Sequence, residues 1–205
     1  MAYPTVTSPY GFKAVNRVDG LPYAGATLQY PLTTGTAVYF GDTVKLVDGG
    51  TISVSGATTS GTIIGTFVGC SYTNSSGQPV QAQYYPGSGV TDPVAYVVVD
   101  AMAAFKVAVT TTGNTSVVTG ANATIVGTNV ATVYGTPSAN TGDSGSSVVL
   151  PGNSLGNATT LPFRVVAVVP DTAYANATGV LFYPEVIVKI NNPQITALTG
   201  TDYTA

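Results

Sequence analysis

"GTIIGTFVGCSYTNSSGQPVQAQYY", residues 61–85, decides the fold class. Its first half is apolar at most positions and rich in β-branched and aromatic residues, the pattern of a strand buried on both faces. Gly65 and Gly69 interrupt it, and a glycine inside a strand marks a bend or a bulge. Asn74-Ser75-Ser76-Gly77-Gln78 then supplies turn chemistry, and Pro79 to Tyr85 alternates like a half-buried strand. The same grammar extends outward. "ATLQYPL" (26–32) alternates, and "AVYFGDTVKLV" (37–47) holds two runs broken at Gly41-Asp42. Asp48-Gly49-Gly50 turns the chain into "TISVS". "VAYVVVD" (94–100), "AFKVAV" (104–109), "FRVVAVV" (163–169) and "VLFYPEVIVKI" (180–190) complete the set, with Arg164, Glu185 and Lys189 as outward punctuation. One helical turn is expected after Asp100, with Asp100 as its N-cap. No helix of ordinary length is expected. The fold class is therefore all-β, a barrel or sandwich with an extended N-terminal arm and long polar loops.

The arm is residues 1–23, where Pro4, Pro9 and Pro22 block helix and Tyr3, Tyr10, Phe12 and Tyr23 supply adhesive rings. Such an arm lies on its own barrel or on a neighbour. Residues 24–205 form a single β-rich domain. Within it, residues 110–160 are nearly charge-free and loosely periodic in Thr, Gly and Asn. The glycine spacing drifts too far for a solenoid, so short strands joined by long surface loops are expected there.

Composition narrows function by exclusion. The chain is 44% hydrophobic but only 7% charged, against about 25% charged in a typical soluble domain. A surface covered by Thr, Ser, Asn, Gln and Gly is expected to meet other protein. The net charge is −3, and the six basic residues are spread along the sequence without a cluster. Direct nucleic-acid binding and anionic-membrane binding both need a basic patch, and neither is expected. Cys70 is the only cysteine and there is no histidine, which excludes an intrachain disulfide and an imidazole or Cys-rich metal site. No metal or cofactor is expected. Asp42 and Asp48 read as turn residues and Cys70 as a buried thiol. The N-terminal stretch lacks a basic, then apolar, leader pattern, and no stretch reaches the roughly 18 apolar residues of a membrane span. Cytosolic production is expected.

"NTGDSGSS" (140–147) spells the surroundings of a trypsin-like nucleophile at Ser144. A serine hydroxyl needs a base that is itself oriented, and no histidine exists to serve. Each lysine lies in a strand-like stretch or in the arm. No catalytic residue is expected. The run reads as a surface turn capped by Asp143, and Ser144→Ala is expected to leave function intact. Tyr84 and Tyr85 are the best local candidates for a surface contact, with one ring in the core and one at an interface as the plainer reading.

Several blocks resemble a family of tailed-phage capsid decoration, or cement, proteins found in phages of cyanobacteria and marine bacteria. "YGFKAVNRVDGLPYAGAT" is similar to the family's opening, through Gly11, Phe12, Ala14, Asp19, Gly20, Gly25, Ala26 and Thr27. "GDTVKLVDGGTISV" resembles its next hairpin. "GTFVGCSYTNSSGQPVQAQYYPG" with "VAYVVVDAMAAFKV" resembles its central block. "TGANATIV", "NTGDSGSS", "LPFRVVAVV" and "EVIVKINNPQ" follow in the family's order. Gly-Asp-Ser-Gly falls where that family has a Thr-Gly-x-Ser-Gly loop, and the low charge here departs from its pattern.

The resemblance implies a non-enzymatic virion protein on the outside of an HK97-fold capsid, assembled in the host cytoplasm. It would bridge capsomers, with the major capsid protein and itself, as a dimer or trimer, for partners. Tyr3, Tyr10, Phe12 and Tyr23 would make the arm contacts. A tail-tube, fibre or adaptor protein shares the same composition, and a virion-borne carbohydrate-binding module would use Tyr84 and Tyr85.

Overall fold

Every regular element is a β-strand or a three-residue 3-10 turn in the computed structural model, which describes residues 6–56, 63–115, 123–149, 158–172 and 183–196. The fold is all-β, as the alternating and apolar runs require. The strands are β1 (Lys13–Arg17), β2 (Leu28–Pro31), β3 (Thr43–Leu46), β4 (Ile52–Val54), β5 (Gly65–Thr73) and β6 (Pro79–Ala82). They continue as β7 (Thr91–Val98), β8 (Ala103–Thr110), β9 (Asn129–Val133), β10 (Ser147–Val149), β11 (Phe163–Val168) and β12 (Glu185–Ile190). Among the described residues no helix is long and apolar enough to cross a membrane.

Five strands close into a barrel in the order β8-β10-β9-β11-β12 and back to β8. The edge of β8 opposite β12 is shared. Residues 103–106 pair antiparallel with β1, and Val109 and Thr110 pair parallel with Val148 and Val149 of β10. The second sheet runs β2-β7-β5-β3-β4, with β6 on β5. Its two ends approach through a single Leu32–Ile52 bridge.

Strand alternation explains how one chain fills two cores. Ile63 and Val98 enter the barrel core, whereas their neighbours Ile64 and Val97 enter the core of the second sheet. A strand between two cores must be apolar on both faces, which is why "VAYVVV" shows no polar face. Gly69 sits at a register shift between β5 and β7, the bulge expected of it. Gly65 is needed for close approach, because a Cβ there would lie 2.0 Å from the Val98 carbonyl oxygen.

Three expectations are corrected. Asp100 caps no helix; its Oδ1 accepts the Met102 amide at 2.8 Å in the tight turn joining β7 to β8. The polar stretch 110–160 holds the expected short strands, β9 and β10, but part of its expected surface loop, Ser144 to Ser147, is buried with them, as are Asn129, Val130, Ala131 and Thr132. Its hydroxyls are buried because they satisfy one another, with Thr110 and Ser147 at 2.6 Å and Ser147 donating to Asn114 at 2.7 Å. Finally, the extended N-terminal segment is built into the barrel from Gly11 to Arg17. Phe12 is fully buried, with its ring stacked on Phe163 at 4.5 Å, while Tyr3 lies outside the described residues.

Candidate functional site

The two sheets are fastened where three short segments cross: Gly11-Phe12, Phe40-Gly41-Asp42 and Gly142 to Ser147. Backbone bonds knit the crossing. Phe12 donates to the Gly41 carbonyl at 2.9 Å, Gly11 to Ser146 at 3.1 Å, and Ser144 to Phe40 at 2.9 Å. Gly11 and Gly41 both have positive φ, and a Cβ on Gly11 would lie 2.8 Å from both Gly41 O and Ser144 Cβ. Only glycine fits that crossing.

Asp42 lies at its centre, with no exposed surface. Oδ1 accepts the hydroxyls of Ser144 at 2.5 Å and Ser146 at 3.2 Å. Oδ2 accepts the Tyr39 amide at 2.8 Å and the Tyr134 hydroxyl at 3.3 Å. Burial raises the Asp42 carboxyl above its ordinary value, and the Ser144, Tyr39, Ser146 and Tyr134 donors work against that rise. Burial also raises Tyr134, helped by the Asp42 charge. The chemistry of this arrangement is satisfaction of one buried carboxylate by four donors drawn from separated segments.

Two readings change here. Asp42 is a turn residue, its amide bonded to the Tyr39 carbonyl at 2.9 Å, but a buried one with a wider role. Ser144 is no surface loop residue, being 2% exposed, donating to Asp42 and accepting the Ser146 amide at 2.9 Å. Sequence reasoning missed Asp42 and Ser146. The available signal was an acid between two apolar runs in a chain with few charges, together with a serine cluster able to serve it.

Beside this seam, Tyr10 bridges β8 and β12. Its hydroxyl donates to Glu185, and its ring lies under Lys13 Nζ at 4.8 Å and Lys106 Nζ at 5.8 Å. Lys106 pairs with Glu185 at 3.1 Å and Lys13 with Asp143 at 3.8 Å. Burial first, then the Glu185 bond, raises the Tyr10 phenol. A cleft of about 350 Å³ separates Tyr10 from the 136–145 segment and is lined by Ser8, Asn114, Ser138 and Asp143.

The expected contact residues part company. Phe12 and Tyr85 have no exposed surface and face the barrel and second-sheet cores respectively. Tyr23 is half-buried against the barrel. Tyr84 is half-buried and stacks on Tyr39 with ring centroids 5.4 Å apart, so the pair divides as strand alternation demands. Cys70 is buried, its thiol facing the Ala82 and Tyr84 carbonyls and pushed up to about 12 by burial. Among the described residues no three His, Cys, Asp or Glu side chains are grouped to hold a metal ion.

Comparison with known proteins yields no family model, no curated protein and no solved structure that matches the chain.

Proposed function

We propose that this chain is a structural virion protein of the capsid cement class, without catalysis. It would bind the outer surface of an HK97-fold phage capsid and bridge capsomers as a dimer or trimer. The carrying observation is the open edge of β6. Among the described residues β6 pairs only with β5, and its sequence Pro79-Val80-Gln81-Ala82 has no charge. Strand edges are ordinarily guarded by charges, proline, short length, bulges or covering loops, and β6 is short and begins with Pro79, but Val80, Gln81 and Ala82 bring no charge to the edge. An uncharged edge instead suits strand addition, which supplies backbone hydrogen bonds without charged side chains. Contacts of that kind, repeated across a shell, add through avidity. Tyr84, Tyr23 and the segment before Gly11 are the contact residues that remain for such a role.

Particle maps and copy number test it. Hundreds of copies spread over the head are expected, and a single ring at one vertex would instead make the chain an adaptor. Deletion of residues 2–9 should lower capsid occupancy and leave the barrel folded. Deletion through residue 22 should unfold it, because β1 and Phe12 go with it.

A further inference from the structure

Four of the chain's six basic residues, far apart in sequence, are gathered on one outer face of the barrel. Residues directly opposite in an antiparallel pair share a face, as do alternate residues of one strand. Lys13 is opposite Lys106, Lys106 is opposite Ile187, Lys189 lies two residues beyond Ile187, and Lys189 is opposite Arg164. The result is a basic face on a chain whose net charge is −3.

This face places like charges directly opposite each other twice, an arrangement that destabilises a sheet unless compensated. The Lys13–Lys106 pair is compensated internally by Asp143, Glu185 and the Tyr10 ring. The Arg164–Lys189 pair has no such partner. Among the described residues no carboxylate lies within ion-pair distance of either, and the Arg164 side chain bonds only the neutral Asn129 Oδ1, through Nε at 3.0 Å. Arg164 is exposed, and its two terminal nitrogens remain available for a two-point grip on a carboxylate.

Resting on the capsid reading above, we infer that the β11–β12 face carrying Arg164 and Lys189 docks on a carboxylate-bearing protein surface of the shell. A polyphosphate or an anionic membrane needs a denser basic field than two uncompensated cations on an acidic chain supply. One or two carboxylates flanked by apolar surface match the face, where the half-buried Ile187 and Ala167 lie beside the cations.

The test is co-sedimentation of the full chain with purified expanded shells, using Arg164→Glu and Lys189→Glu singly and together. Lys45→Glu, at an exposed position of β3 in the other sheet, makes the same change in net charge. The single reversals should weaken binding by about tenfold and the double by more, with Lys45→Glu close to wild type. Arg164→Glu should also raise the melting temperature, since it turns a like-charge pair into an ion pair. Weaker binding with a higher melting point separates docking from misfolding. Equal binding by wild type and the double variant overturns the inference alone. Shells that leave wild type unbound overturn the capsid reading and the inference with it. Retention of wild type on duplex DNA or phosphatidylserine vesicles, lost in the double variant, assigns the face to another partner and overturns it too.

Discussion

The barrel and the second sheet both enclose apolar cores but are closed by different means. The second sheet uses apolar side chains, such as Phe67, Tyr85, Ile52 and Val97, and its strands are evident from their residues. The barrel has an equally apolar interior, built on Phe12, Phe105 and Phe163. Its closing strands, however, come from polar sequence and are held in place by Thr110, Ser144, Ser146, Ser147 and the Asp42 carboxylate. Burial of a polar residue costs little once each donor and acceptor is matched, and costs much when one is left over. The seam should therefore be more sensitive than the second sheet to loss of a single polar atom.

The largest effect tests whether the N-terminal segment belongs to the barrel. Phe12→Ala removes a fully buried stacked ring and should cost about 4 kcal/mol in urea unfolding. A loss under about 1 kcal/mol would mean that the segment only rests on the surface.

Asp42→Ala should follow at about 3 kcal/mol, because it strands four donors, two of them the buried hydroxyls of Ser144 and Ser146. Ser144→Ala should cost about 1 to 2 kcal/mol. Its removal should be felt as lost stability, a separate readout from the expectation that function stays intact.

The carboxylate also gives the seam a pH signature. Asp42 binds its proton more tightly in the folded chain than in the unfolded one. Its stabilising contribution is then complete below the ordinary carboxylate range and is lost as pH rises through the raised folded value. Measured against Asp42→Asn, the wild-type advantage should shrink as pH rises above the ordinary carboxylate range. An advantage that grows over that range would mean the four donors outweigh burial.

The smallest effect has the opposite sign and lies in the second sheet. Thr66 is buried and its Oγ1 is the single buried side-chain polar atom without a partner among the described residues. Thr66→Val should raise stability by about 1 kcal/mol, read from the thermal midpoint. No gain there would weaken the contrast between a matched seam and an apolar sheet.

Legibility followed the same division. The strands around Phe67 and Val97, the bulge at Gly69 and the turn at Asp48-Gly49-Gly50 could be read because side-chain pattern and turn chemistry are local properties. The burial of Asp42 could not, because its donors lie at residues 39, 134, 144 and 146 and only the closed fold brings them together. The basic face was hidden for the same reason. Lys13, Lys106, Arg164 and Lys189 form no cluster along the chain, and register alone makes them neighbours. Tyr84 and Tyr85 were separable in principle, since adjacent strand residues face opposite ways, but not which of them faced inward.

The way β8 is shared sets an order of events during folding. β1 is synthesised early, yet its partner residues 103–106 lie some ninety positions later, and β12 must arrive before the barrel can close on β8's other side. Loop closures of that length are slow compared with hairpin formation. Phe12 thus emerges from the ribosome long before its stacking partner Phe163. On this account a nascent chain exposes, through most of its synthesis, an aromatic that the finished barrel covers, so dilution or a chaperone should raise the yield of folded protein.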